Sequence, residues 1–152
     1  MNFDDYINAG RIVIDNDFSE GEKNLILVVM RTAYAVSPTA KRMFDDWFSS
    51  DITKKININF KRGKCQSYSN TGILEIDLKF IDKVVYIDNN GTAVKHTPVT
   101  AIVHELVHAL TNKLDDGVGA PDSRGDRADY KGATVIHSNL IYSELDSVVK
   151  RL

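Results

Sequence analysis

Residues 101–110, reading A-I-V-H-E-L-V-H-A-L, constrain this chain more than any other stretch. Apolar side chains fill every position but three, where His104, Glu105 and His108 stand. A helix that is apolar almost all round belongs in a core. The spacing of four turns His104 and His108 to one side of such a helix. Two imidazoles and a carboxylate are costly to bury unless something compensates them. A shared metal ion would compensate both imidazoles together, and zinc accepts this donor type. Glu105, one step round the helix, could then take a proton from a water that the metal activates. A purely structural helix is the competing reading, and it leaves three polar groups to be satisfied by packing alone.

At 152 residues the chain suits a single domain, 1–152, large enough to bury a core without staples. The formal charge of −2, with both signs interspersed, gives no basic footprint for a nucleic acid. Cys65 is the one cysteine, which excludes an internal disulfide and zinc sites built on cysteine pairs. A metal would have to be held by His, Asp or Glu, and Cys65, in a polar stretch, reads as incidental. The start, M-N-F-D-D-Y-I-N-A-G-R, carries acids where a signal peptide has bases and lacks an apolar run. The longest apolar stretch, 25–30, is too short to span a bilayer, so no membrane insertion is expected. These features predict a soluble protein that stays in the cytoplasm or leaves a bacterium by a specialised route needing no signal peptide.

Residues 11–15, R-I-V-I-D, read as an early strand. Ser19 with Glu22 three residues on forms a capping-box pattern, opening a helix over 19–30 that continues to about Tyr34. Pro38 suits the first turn of the next helix, 39–49, whose Met43, Phe44, Trp47 and Phe48 form a core stripe. The alternating runs 55–60 and 73–80 and the β-rich run 84–87 are expected to be three strands of one sheet, with 63–72 a loop between the first two. An edge strand above a metal helix can hold a substrate in extended form, and 73–80 or 84–87 would be the candidates. Thr97 and Pro98 open the metal helix as cap and first residue, and it should run to about Asn112. His96 reads as a turn residue. The Asp- and Gly-rich stretch 113–132 is expected to be a surface loop, and 133–151 a final amphipathic helix.

A catalytic zinc takes three protein donors and leaves one position for water. The third candidate is one of His137, near the start of the last helix, or Asp129, at the end of the Gly/Asp loop. Glu144 and Asp126 are weaker candidates, Glu144 being accounted for by surface exposure. The hydroxyls of Tyr130 and Tyr142 are candidates for stabilising an oxyanion, although buried packing is the better account of each.

The motif V-H-E-L-V-H-A-L, preceded by V-V-Y-I-D-N-N-G and followed by D-Y-K-G-A-T-V-I-H-S-N-L-I-Y-S-E-L, resembles the zincin metallopeptidase effectors and toxins. These include type III-secreted effector peptidases that cut host signalling proteins and metallopeptidase domains at the ends of larger bacterial toxins. In the family pattern an aspartate-tyrosine-glycine element precedes a helix bearing a glutamate-asparagine and then a glutamate-leucine pair. Asp129, Tyr130, Gly132, Asn139, Glu144 and Leu145 match it, while Ser138 stands where the pattern has glutamate and Lys131 interrupts the first element. The resemblance covers the chain from Val84 onward.

That resemblance implies an α+β zincin-like fold, a small mixed sheet followed by the metal helix and a C-terminal helix. It implies one Zn²⁺ per chain, Glu105 as general base, and endopeptidase action on a host or competitor protein, with an immunity protein or chaperone as a further partner. The rivals are a hydrolase of another amide, such as a peptidoglycan cross-link, and a non-catalytic module with a structural zinc.

Overall fold

A computed structural model describes residues 2–81, 85–88, 90–111 and 133–149. The chain opens with a short helix, α1 (Phe3–Asn8), which the sequence reading did not foresee. Asn2 and Asp5 cap it reciprocally, and Phe3 and Tyr6 anchor it in the core. Strand β1 (Ile12–Ile14) follows, then α2 (Glu20–Val36) with the expected Ser19–Glu22 capping box, then α3 (Pro38–Ser50) with Pro38 in its first turn. The stripe Met43, Phe44, Trp47 and Phe48 is buried as expected.

Three strands come next: β2 (Ile56–Phe60), β3 (Cys65–Tyr68) and β4 (Ile73–Ile76). With β1 they form one sheet in the order β1-β2-β4-β3, parallel from β1 to β4 and antiparallel between β4 and β3. The expected loop 63–72 therefore contains a strand, and that strand lies at the sheet edge.

The expected strand 73–80 stops at Ile76. Asp77 ends it by accepting the Gly63 amide at 2.9 Å and the Lys79 amide at 3.0 Å, which turns the chain away from the ladder. Those amides, the Gly63 amide foremost, hold the Asp77 carboxyl below its ordinary range. The expected third strand, β5 (Val85–Ile87), does not join this sheet; it pairs antiparallel with β6 (Ala93–Lys95) in a separate ribbon. Asp88 closes the turn between them by accepting the amides of Asn90 and Thr92, each at 2.9 Å.

Helix α4 (Pro98–Leu110) carries the two histidines, and α5 (Ala133–Val149) packs against it. Thr97 is the N-cap of α4, as expected. The helix touches α2, α3 and α5 as well as β3 and β4, so it runs through the centre of the molecule. It ends two residues earlier than expected, because the turn between β3 and β4 caps it. The Asn70 amide donates to the His108 carbonyl at 3.1 Å and the Gly72 amide to the Ala109 carbonyl at 2.8 Å. Carbonyls that no further helical turn would satisfy are thereby paired. Among the described residues no helix is long and apolar enough to cross a membrane.

Candidate metal centre

Ten of the thirteen residues of α4 are buried, and only at His104 and His108 does a side chain of its final two turns reach partial exposure. The two rings lie 5.0 Å apart between centroids and stand nearly perpendicular, at 83°. The ligating atoms of His104, Glu105 and His108 all fall within 4.8 Å of one another. This is the group of His, Cys, Asp and Glu side chains that could share an ion among the described residues. Two imidazoles converging on one point, beside a carboxylate and without a thiolate, make a donor set that suits zinc.

Glu105 is 6% exposed, and its carboxylate faces β3. Ser67 Oγ donates to Oε1 at 2.9 Å, and Cys65 Sγ lies 3.8 Å from Oε2. Cys65, expected to be incidental, is thus in contact with the site. Burial and the adjacent Glu105 carboxylate push its thiol up to about 12, so it stays protonated.

His96 was set aside as a turn residue, yet it is buried, with its ring centroid 5.7 Å from that of His104. Its Nδ1 lies 3.0 Å from the hydroxyl of Thr100. Burial, aided by the neighbouring His104, pushes its pKa down to about 4. His96 is uncharged at neutral pH and does not repel a cation held by His104. A signal for it was present in the sequence, since the residue before an N-cap commonly packs back on the first turn of its helix.

The remaining candidates separate. His137 is not in the metal group; its side chain lines a cavity with Met43, Asn70, Leu110 and Thr111. Asp129, Asp126 and Tyr130, together with the expected surface loop, fall outside the described residues. Tyr142 donates its hydroxyl to the Thr100 carbonyl at 2.7 Å, which joins α5 to α4.

Glu144 is not an idle surface acid. It accepts from Ser37 Oγ at 2.5 Å, Thr39 Oγ1 at 2.8 Å and the Thr39 amide at 3.2 Å, which ties α5 to the N-terminus of α3. Burial raises its pKa, but the bonds from Ser37 and Thr39 outweigh this and hold the carboxyl below its ordinary range. A depressed carboxyl contributes stability above its unfolded pKa of about 4.3 and loses it as the pH falls below that. Glu144→Ala should cost about 1–3 kcal/mol in urea unfolding at neutral pH and leave zinc content unchanged. Loss of zinc in this variant would return Glu144 to the metal site.

The architecture is that of the α+β, zincin-like metalloprotease-effector fold. The crystal structure of the Salmonella zinc metalloprotease effector GtgA matches this chain with a TM-score of 0.61 at 20% sequence identity, over 87% of this chain and 68% of that one. At that identity the likeness is one of fold. No protein-family model and no curated protein matches the sequence.

Proposed function

We propose that this chain is a zinc-dependent endopeptidase acting on a protein substrate. The observation that carries the reading is the convergence of His104, Glu105 and His108 on a buried helix that faces the edge of a sheet. His104 and His108 would hold the ion, and Asp129 is the preferred third donor, because His137 stands outside the group of ligating atoms that His104, Glu105 and His108 form. When bound, the ion supplies Lewis-acid polarisation of a carbonyl and acidifies a water. Glu105 takes the proton from the attacking water and returns it to the leaving amine.

Strand β3 is the place for the substrate. It is the terminal strand of its sheet on the side next to α4, and among the described residues no strand pairs with its outer edge, where an extended peptide would add. Strand β4 is interior, and β5, though also an edge strand, belongs to the separate two-stranded ribbon rather than to the sheet that packs on α4. The likeness in fold to GtgA, an effector, supports a delivered protein with a host or competitor target. An immunity protein or chaperone would fit such a role.

The test pairs elemental analysis with labelling of new protein N-termini in a cell lysate incubated with the chain. One zinc per chain is expected in the wild type and in His137→Ala, and much less in His104→Ala, His108→Ala and Asp129→Ala. New N-termini should appear with the wild type and disappear with His108→Ala. A wild-type chain without zinc, or cleavage that survives loss of both histidines, would sink the reading.

A further inference from the structure

The peptidase reading assigns Glu105 a proton-transfer task but does not say what holds its carboxylate in place. A buried carboxylate is costly unless its lone pairs are taken by donors. Two such donors stand on β3, where they alternate along the strand. Residues i and i+2 of a strand point to the same face, and for Cys65 and Ser67 that face meets α4. The intervening and following residues, Gln66 and Tyr68, point the other way and both donate to Glu75. The strand therefore offers one polar face to the base and a separate polar face to its neighbouring strand.

The two donors are unequal. A hydroxyl at 2.9 Å makes a full hydrogen bond to an anionic oxygen, whereas a thiol at 3.8 Å is a weak donor. We propose that Ser67 is a positioning residue that fixes the Glu105 carboxylate between the histidine pair and the strand on which substrate lies, and that Cys65, a weak donor, covers the second oxygen while leaving it able to accept a proton. Ser67 acts through Glu105 and donates nothing to the reaction itself. The same strand would then carry both the substrate backbone, along its edge, and the orientation of the base, on its inner face. The inference rests on the peptidase reading and extends it to residues outside the metal motif.

Ser67→Ala, Ser67→Thr and Glu105→Gln test it in the full-length chain. The activity probe is a quenched fluorescent peptide built on the sequence cut in the lysate experiment. Misplacement of a catalytic group by an ångström can cost up to about 100-fold, so Ser67→Ala should lower kcat by roughly 10- to 100-fold with KM and zinc content unchanged. Ser67→Thr keeps the hydroxyl on a residue suited to a strand and should restore kcat to within about threefold.

A second readout needs no activity. In metal-free protein Cys65 should react slowly with iodoacetamide, and several-fold faster both in Glu105→Gln, which removes the adjacent charge, and in Ser67→Ala, which releases it. Wild-type kcat in Ser67→Ala, kcat lost together with zinc, or unchanged thiol reactivity would each overturn the role given to Ser67. Glu105→Gln that cleaves like the wild type would instead bring down the peptidase reading, and the role of Ser67 with it.

Discussion

Glu105→Gln should keep one zinc per chain and the fold of the wild type while cleavage of the lysate-derived peptide falls by roughly 10²- to 10⁴-fold, the range a general base supplies. The substitution preserves the shape of a side chain that is 6% exposed, so no cavity opens. The amide oxygen can still accept from Ser67, so the local geometry survives. What is lost is the capacity to take a proton. The result separates the peptidase from its nearest rival, a module with a structural zinc, which has no use for a base at this position. Retained zinc, retained fold and undiminished cleavage would leave Glu105 a packing residue. The glutamine also removes a buried negative charge beside Cys65, so any change in stability should be small, within about 1 kcal/mol by urea unfolding.

The largest effect on stability is expected outside the metal motif. Gly72 has φ of +73°, and an added Cβ would lie 2.2 Å from the Lys55 carbonyl oxygen and 2.8 Å from Cζ2 of Trp47. Neither neighbour can move cheaply: one is backbone at the start of β2, and the other is a core indole 4% exposed. The Gly72 amide also caps α4 through the Ala109 carbonyl. Gly72→Ala therefore combines a strained backbone, a clash and a disturbed helix end, and should cost roughly 3–5 kcal/mol. Gly63→Ala is the control. Gly63 has a similar φ of +69° but open space around it, so it should show only the backbone cost, about 1 kcal/mol. Equal losses in the two variants would mean that the contacts of Gly72 with Lys55 and Trp47 contribute little.

The elements that could be read from the sequence are those whose local chemistry agrees with their place in the fold. Ser19 and Glu22 announce α2, Thr97 and Pro98 announce α4, and the alternation in K-I-N-I-N-F announces β2. The metal group could be read for the opposite reason, since three polar residues on an otherwise apolar helix contradict their surroundings. Strand β3 was hidden because its inner face is polar. Cys65 and Ser67 point at a buried carboxylate rather than at oil, so the apolar alternation that marks a strand is missing. The length of β4 was misjudged because L-K-F continues the alternation past Asp77, where side-chain bonds to two amides end the strand. The ribbon was half visible. Its turn reads clearly at N-N-G, but three residues of β6 are too few to show a period, so β5 was assigned to the wrong sheet. Glu144 looked like a surface acid because its partners, Ser37 and Thr39, stand more than a hundred residues earlier.

The end of α4 is fixed from upstream. Asn70 and Gly72, in a turn laid down some forty residues before the helix closes, hold the carbonyls of His108 and Ala109. The chain beyond Thr111 is thereby released from the task of terminating the helix. The placement of the histidines is then set by residues that come before them in the chain. A helix end closed from behind in this way fixes the two imidazoles by residues that precede them, so the stretch that follows is left to serve other demands, the third donor of the proposed centre among them.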